Sequence, residues 1–122
     1  MILADTTIWI DHFRTGNTEM RKLLTQRQIA MHPFIVAELA LGSLQDRVNT
    51  LTYLDMLPRV RVAQLDEVRQ MIEARSLYSQ GIGLIDAHLI ASVFLNPGTL
   101  LWTKDKRLRG VASTLGIHAN LP

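Results

Sequence analysis

The chain has 122 residues, 48% of them apolar and 20% charged, a composition that excludes intrinsic disorder and fits one ordinary domain with its own core. It contains no cysteine, which excludes a disulfide framework and thiolate metal ligation, and points to a reducing cytoplasm with any metal held by oxygen or imidazole. The net charge of +2, from 13 basic and 11 acidic residues, is too small to identify a partner by itself.

In chain order, Ile2, Leu3 and Ala4 read as a short buried strand ending on Asp5. "TTIWIDHF" begins a helix that Thr6 or Thr7 can cap, and "RTGN" at 14–17 is a turn. A second helix fits 18–26, and "QIAM" at 28–31 is a short strand. Pro33 suits a first helical position, opening "FIVAELALG" with Gly42 as its stop.

Val48, Leu51, Leu54 and Leu57 recur on one face of a helix over 45–57, which Pro58 ends; that stripe serves a core or a dimer contact equally well. "VRVA" at 60–63 alternates like a strand. Leu65, Val68 and Ile72 mark a helix towards Tyr78, broken by "SQGIG". A strongly apolar helix over 84–95 ends at "NPG", "TLLW" at 99–102 is a strand, Lys104 or Asp105 opens a helix to about 115, and "IHA" at 117–119 is a last short strand.

Short strands alternating with helices imply parallel pairing through helical crossovers, hence an α/β fold with a central, mostly parallel sheet covered on both faces. One domain spanning residues 1–122 is expected. No stretch reaches the roughly 18 apolar residues of a membrane span, and the N-terminus lacks the pattern of a signal peptide, so no membrane association is expected.

Ligands of such sheets bind beyond the carboxyl ends of the strands. Asp5 follows the first strand, Asp105 lies three residues past "LLW", and Asp86 lies in the first turn after "GIG". Glu38 sits among Ile35, Val36, Ala37, Leu39, Ala40 and Leu41, a helix apolar nearly all round and therefore expected to be buried. Each acid has a plain structural explanation when taken singly, as a cap, a dipole partner or half of an ion pair.

Convergence of all four on one edge is a different matter. A cluster of carboxylates suits hard divalent cations such as Mg²⁺ or Mn²⁺, and two ions roughly 4 Å apart can activate a water and stabilise a leaving oxygen of a phosphodiester. On that reading a metal ion is the cation that meets Asp5. Setting those four acids aside leaves six more bases than acids, a modest attraction for a polyanion.

"LADTT", "FIVAELALG", "GIGLIDAHLIAS" and "LLWTKDKRL", in that order, make the chain resemble the PIN-domain nucleases and, within them, the VapC-type toxins of toxin–antitoxin pairs. The resemblance covers nearly the whole chain. It implies a three-layer α/β/α fold and a metal-dependent endoribonuclease, often a homodimer, silenced by a cognate antitoxin protein. Carried over, Asp5, Glu38, Asp86 and Asp105 become the catalytic, metal-ligating quartet. Thr7, where the family often has Ser or Asn, and Thr103 become residues that hold a carboxylate or a water.

Lys104, Lys106, Arg107 and Arg109 surround Asp105 and are candidates for holding RNA phosphates, or else form a solvated helix start. Trp9 and Trp102 fit core packing better than base stacking, and the four histidines are scattered. "GIG" is too short for a dinucleotide fingerprint.

The expected reaction is hydrolysis of RNA by in-line attack of a metal-activated water, with the antitoxin supplying apolar anchors and a basic side chain to the acidic pocket. One alternative is phosphoryl transfer with Asp5 as nucleophile, although position 7 is Thr where one such phosphatase family has a second acid. The other is a non-catalytic nucleic-acid or antitoxin-binding module.

Overall fold

A computed structural model describes all residues 1–122. Strand β1 (Ile2–Ala4) lies at the centre of a three-stranded parallel sheet, between β2 (Ile29–Ala30) and β3 (Leu100–Trp102), in the order β2-β1-β3. Ile2 is in register with Ile29 on one side and Leu100 on the other, and Ala4 with Trp102. Leu3, Ala4, Leu101 and Trp102 are fully buried, so both sheet faces are covered, as a parallel sheet requires.

The helices are α1 (Thr6–Thr15), α2 (Thr18–Thr25), α3 (Pro33–Ala40), α4 (Arg47–Asp55), α5 (Leu65–Ala74), α6 (Leu84–Leu95) and α7 (Lys106–Thr114). α1, α3 and α4 pack in succession, and α5 packs against α6, which in turn meets β3. The α/β/α arrangement expected of the sequence is the arrangement found. Trp9 and Trp102 lie wholly inside the core with Ile8, Met20, Ile35 and Ile90, so neither offers a face to a base.

Two expected strands shrink to single bridges. Met31 pairs with Arg59 and Leu101 with His118, extending the sheet at its two edges by one residue each. "VRVA" stops there because Val60 N donates to Met31 O at 3.0 Å, whereas the next backbone groups, those of Arg61, are taken by the Asn96 side-chain amide at 3.0 and 3.2 Å. An amide from the end of α6 thus occupies the place of a neighbouring strand. The apolar stripe of α4 also divides: Leu54 is buried, Leu51 and Leu57 are half-buried, and Val48 faces outward.

Because the three strands are parallel, their carboxyl ends share one edge. There β1 runs into α1 at Asp5, β2 into α3 at His32, and β3 into α7 at Asp105.

Candidate active site

Asp5, Glu38, Asp86 and Asp105 line a single cavity of about 480 Å³, together with Thr6, Thr7, Gly83, Leu84 and Ile85. Four separate segments deliver the four acids. No Lys or Arg forms an ion pair with any of them; the two ion pairs of the chain are Arg59–Asp55 and Lys104–Asp11.

Asp5 is the N-cap of α1, in place of Thr6 or Thr7. Its Oδ1 accepts from Thr7 N at 3.0 Å, from Ile8 N at 3.3 Å and from Thr7 Oγ1, while Oδ2 accepts from Thr103 Oγ1. Burial pushes the Asp5 carboxyl above its ordinary value, against the pull of these donors. The buried carboxylate is therefore met first by two hydroxyls and a helix N-terminus. At 4% exposure it is nearly closed to solvent, and Oδ2, which accepts a single bond, keeps a lone pair towards the cavity.

The hydroxyls work as relays. Thr103 Oγ1 accepts from Asp105 N at 3.0 Å and Thr7 Oγ1 from Lys104 N at 2.9 Å, so each turns a backbone donor into a hydroxyl donor aimed at Asp5. A backbone N–H can only donate, which leaves the threonine protons free for the carboxylate. The arrangement joins the end of β1 to the end of β3.

Asp105 caps α7, its Oδ1 accepting from Leu108 N at 2.9 Å. Asp86, in the first turn of α6, reaches back to Gly83 N at 3.3 Å through Oδ2. Each keeps its other oxygen free of hydrogen bonds within the chain. Asp86 is raised above the ordinary carboxylate value by burial and by Asp105 nearby.

Glu38 departs from its sequence-based expectation: it is exposed at the cavity rim rather than buried. α3 is a short helix that buries Ile35 and Leu39 and leaves Ala37, Glu38 and Leu41 outward, so an apolar sequence did not make an all-round buried helix. Glu38 accepts no hydrogen bond. Its carboxyl is raised by desolvation and by the charges of Asp86 and Asp5, so the quartet is electrostatically coupled.

The four acids share a cavity without forming a tight cluster: no three of the chain's Asp, Glu and His side chains are drawn together as ligands of one ion. The donor chemistry nevertheless suits a hard divalent cation. The acids are all oxygen donors, two keep a free oxygen, one accepts nothing, and none has a cationic partner.

The basic residues divide. Lys104 is paired with Asp11 at 3.0 Å, whereas Lys106, Arg107 and Arg109 are exposed and free of carboxylate partners. The Arg107 side chain lies over Gly81, whose φ of +77° is left-handed; a Cβ there would come within 2.7 Å of Arg107 Cδ. The left-handed φ accounts for the first glycine of "GIG", since the Arg107 side chain could move aside for a Cβ whereas the backbone conformation would stay strained.

Sequence reasoning gave no role to His32 or Asp11. His32 caps α3 by accepting from Phe34 N at 3.0 Å through Nδ1, and its buried ring packs with buried His88 and half-buried Phe34. A His before a Pro at the first helical position was the available signal. Asp11, among the apolar residues of α1, gave none.

The PIN domain family model matches residues 2–113 of this chain. Two proteins named Ribonuclease VapC32, from Mycobacterium tuberculosis strains CDC 1551 / Oshkosh and ATCC 25618 / H37Rv, are each 39% identical to it over 117 residues, covering 96% of this chain and 94% of the relative. The match takes in all four acid-bearing segments and both threonines. With its parallel sheet, and with Asp5 and Asp105 at strand ends facing the other two acids across one cavity, the chain belongs to the PIN-domain family and, within it, to the VapC-type ribonucleases.

Proposed function

We propose that this chain is a divalent-metal-dependent endoribonuclease that acts in the cytoplasm as the toxin of a toxin–antitoxin pair. The observation that carries the reading is the convergence of Asp5, Glu38, Asp86 and Asp105 on one cavity with no Lys or Arg paired to any of them. The ribonuclease name of the relatives supports RNA as the substrate.

Asp5, Glu38, Asp86 and Asp105 are the proposed ligands of Mg²⁺ or Mn²⁺, and Thr7 and Thr103 hold Asp5 in place for that role. When bound, the ion supplies Lewis acidity to the phosphodiester and lowers the pKa of an attacking water. The chain's own contribution is positional. Two hydroxyls and two amides orient Asp5, helix N-termini set Asp86 and Asp105 at the rim, and Lys106, Arg107 and Arg109 offer charge to the RNA backbone.

The antitoxin is proposed to dock beside the acids. A groove of about 370 Å³ lined by Ile10, Phe13, Arg14, Leu39 and Leu44 shares Thr6 and Glu38 with the acidic cavity, so one segment can place apolar anchors in the groove and a basic side chain among the acids. Leu41, Val48 and Met56, 77–89% exposed, supply further apolar surface suited to a homodimer. No helix is long and apolar enough to cross a membrane.

The test is incubation of purified protein with total RNA across a titration of Mg²⁺ and Mn²⁺, with the cut ends mapped. Discrete new ends that require the metal and disappear with chelator are expected. Metal-independent binding of RNA without shortening would favour the binding-module alternative.

A further inference from the structure

Thr7 and Asp11 lie one turn apart on α1 and share a face of that helix. Lys104 engages both. Its backbone N–H donates to Thr7 Oγ1 at 2.9 Å, and its Nζ lies 3.0 Å from Asp11 Oδ2. The same Asp11 oxygen accepts from Asn17 Nδ2 at 3.0 Å, and Asn17 Oδ1 caps α2 by accepting from Met20 N at 2.9 Å. One carboxylate thus ties together α1, the turn into α2, and the link between β3 and α7.

That link, residues 103–105, has no regular structure of its own. It depends on side-chain bonds: Lys104 N to Thr7, Asp105 N to Thr103, and Thr103 to Asp5. Lys104 stands between Thr103 and Asp105, so whatever fixes Lys104 fixes both neighbours. Thr7 also donates to Asp5, and the path from Asp11 through Lys104 and Thr7 ends on the buried acid.

We propose that Asp11 is a positioning residue: through Lys104 it holds the 103–105 link against α1, keeping Asp5 and Asp105 in fixed relation across the cavity. Lys104 is then a strut rather than a phosphate ligand. The pairing separates it from Lys106, Arg107 and Arg109, which have no carboxylate partner. The proposal rests on the nuclease reading for its kinetic consequence alone.

The experiment compares Asp11→Asn, Lys104→Met, the double variant and the charge exchange of Asp11→Lys with Lys104→Asp. Amide hydrogen exchange at Lys104 and Asp105 is followed by NMR, and kcat and KM are measured on a short single-stranded RNA with Mn²⁺. Each single variant is expected to speed exchange at both amides and lower kcat by roughly two- to fivefold, the range of an exposed ion pair, at unchanged KM. The double variant should be no worse than either single, and the exchanged pair should recover most of the loss.

Unchanged exchange in Lys104→Met overturns the proposal. So does a raised KM in Lys104→Met with a lowered KM in Asp11→Asn, which would make Lys104 a phosphate ligand that Asp11 restrains. If Asp11→Asn fails to fold, Lys104→Met alone decides, since it removes the same pair from a side chain that is 42% exposed. If the wild type cuts no RNA, the nuclease reading falls while the exchange measurements still judge the strut.

Discussion

Thr103 Oγ1 donates to Asp5 Oδ2 across 98 residues of sequence, and in doing so joins the ends of two adjacent parallel strands at the floor of an acidic cavity. Thr103 is fully buried, and its oxygen also accepts from Asp105 N. Replacing it with Val keeps the shape and removes both bonds. We expect a loss of about 1–2 kcal/mol in urea unfolding and at least tenfold in RNA cleavage, with Thr103→Ser retaining most of both.

Uncompensated acids destabilise the fold that carries them. Asp86 and Glu38 are held above their ordinary values by burial and by neighbouring acids, so their neutral forms suit the folded state better than their ions do. Their contribution is present at low pH and is lost as pH rises through the raised values. Asp86→Asn should raise Tm at pH 7 in chelator by about 1–4 °C, and Glu38→Gln, whose side chain is exposed and screened by solvent, by less than that, while both abolish cleavage, measured by thermal melts and RNA assays on the same samples.

His32 acts with the opposite sign. Burial, with His88 and Arg59 adding to it, lowers its pKa to about 4, and its neutral Nδ1 caps α3. Its stabilisation is full above the unfolded value near 6.5 and is lost as pH falls towards 4, amounting to about 3 kcal/mol over that interval. Urea unfolding at pH 6.5 and 4.5 should show a smaller acid loss in His32→Asn than in the wild type, because Asn caps without titrating.

Lys106, Arg107 and Arg109 are free to meet phosphates. Each that contacts the RNA backbone should contribute about 0.7 to the slope of log affinity against log salt. Ala substitutions, measured for RNA binding with the inactive Asp5→Asn protein, should flatten that slope.

Much of the architecture was legible because strand and helix signals were unambiguous in it. Pro33 opens α3, and the strands before the first helix, after the second and before the last are short apolar runs whose both-sided burial matches a parallel sheet. "VRVA" misled because alternation reports a half-buried extended segment and not the neighbour that bonds it; Asn96 took that place. Glu38 misled because α3 turns its acid towards a cavity that sequence neighbours do not reveal. The placing of Asp5 and Asp105 beyond the strand ends followed from topology; the carboxylate-holding part of Thr7 and Thr103 came only with the family resemblance, and Asp11 depends on contacts across the chain that no local pattern records.

We propose that the four acids serve a divalent ion that the cutting of RNA requires. The most direct test is cleavage of a short single-stranded RNA by chelator-treated wild type and Asp5→Asn as Mn²⁺ is titrated back. No cutting is expected without the ion, with recovery in the wild type as it is restored and none in Asp5→Asn. Equal cutting in chelator, or by Asp5→Asn at the wild-type Mn²⁺ dependence, would contradict the proposal.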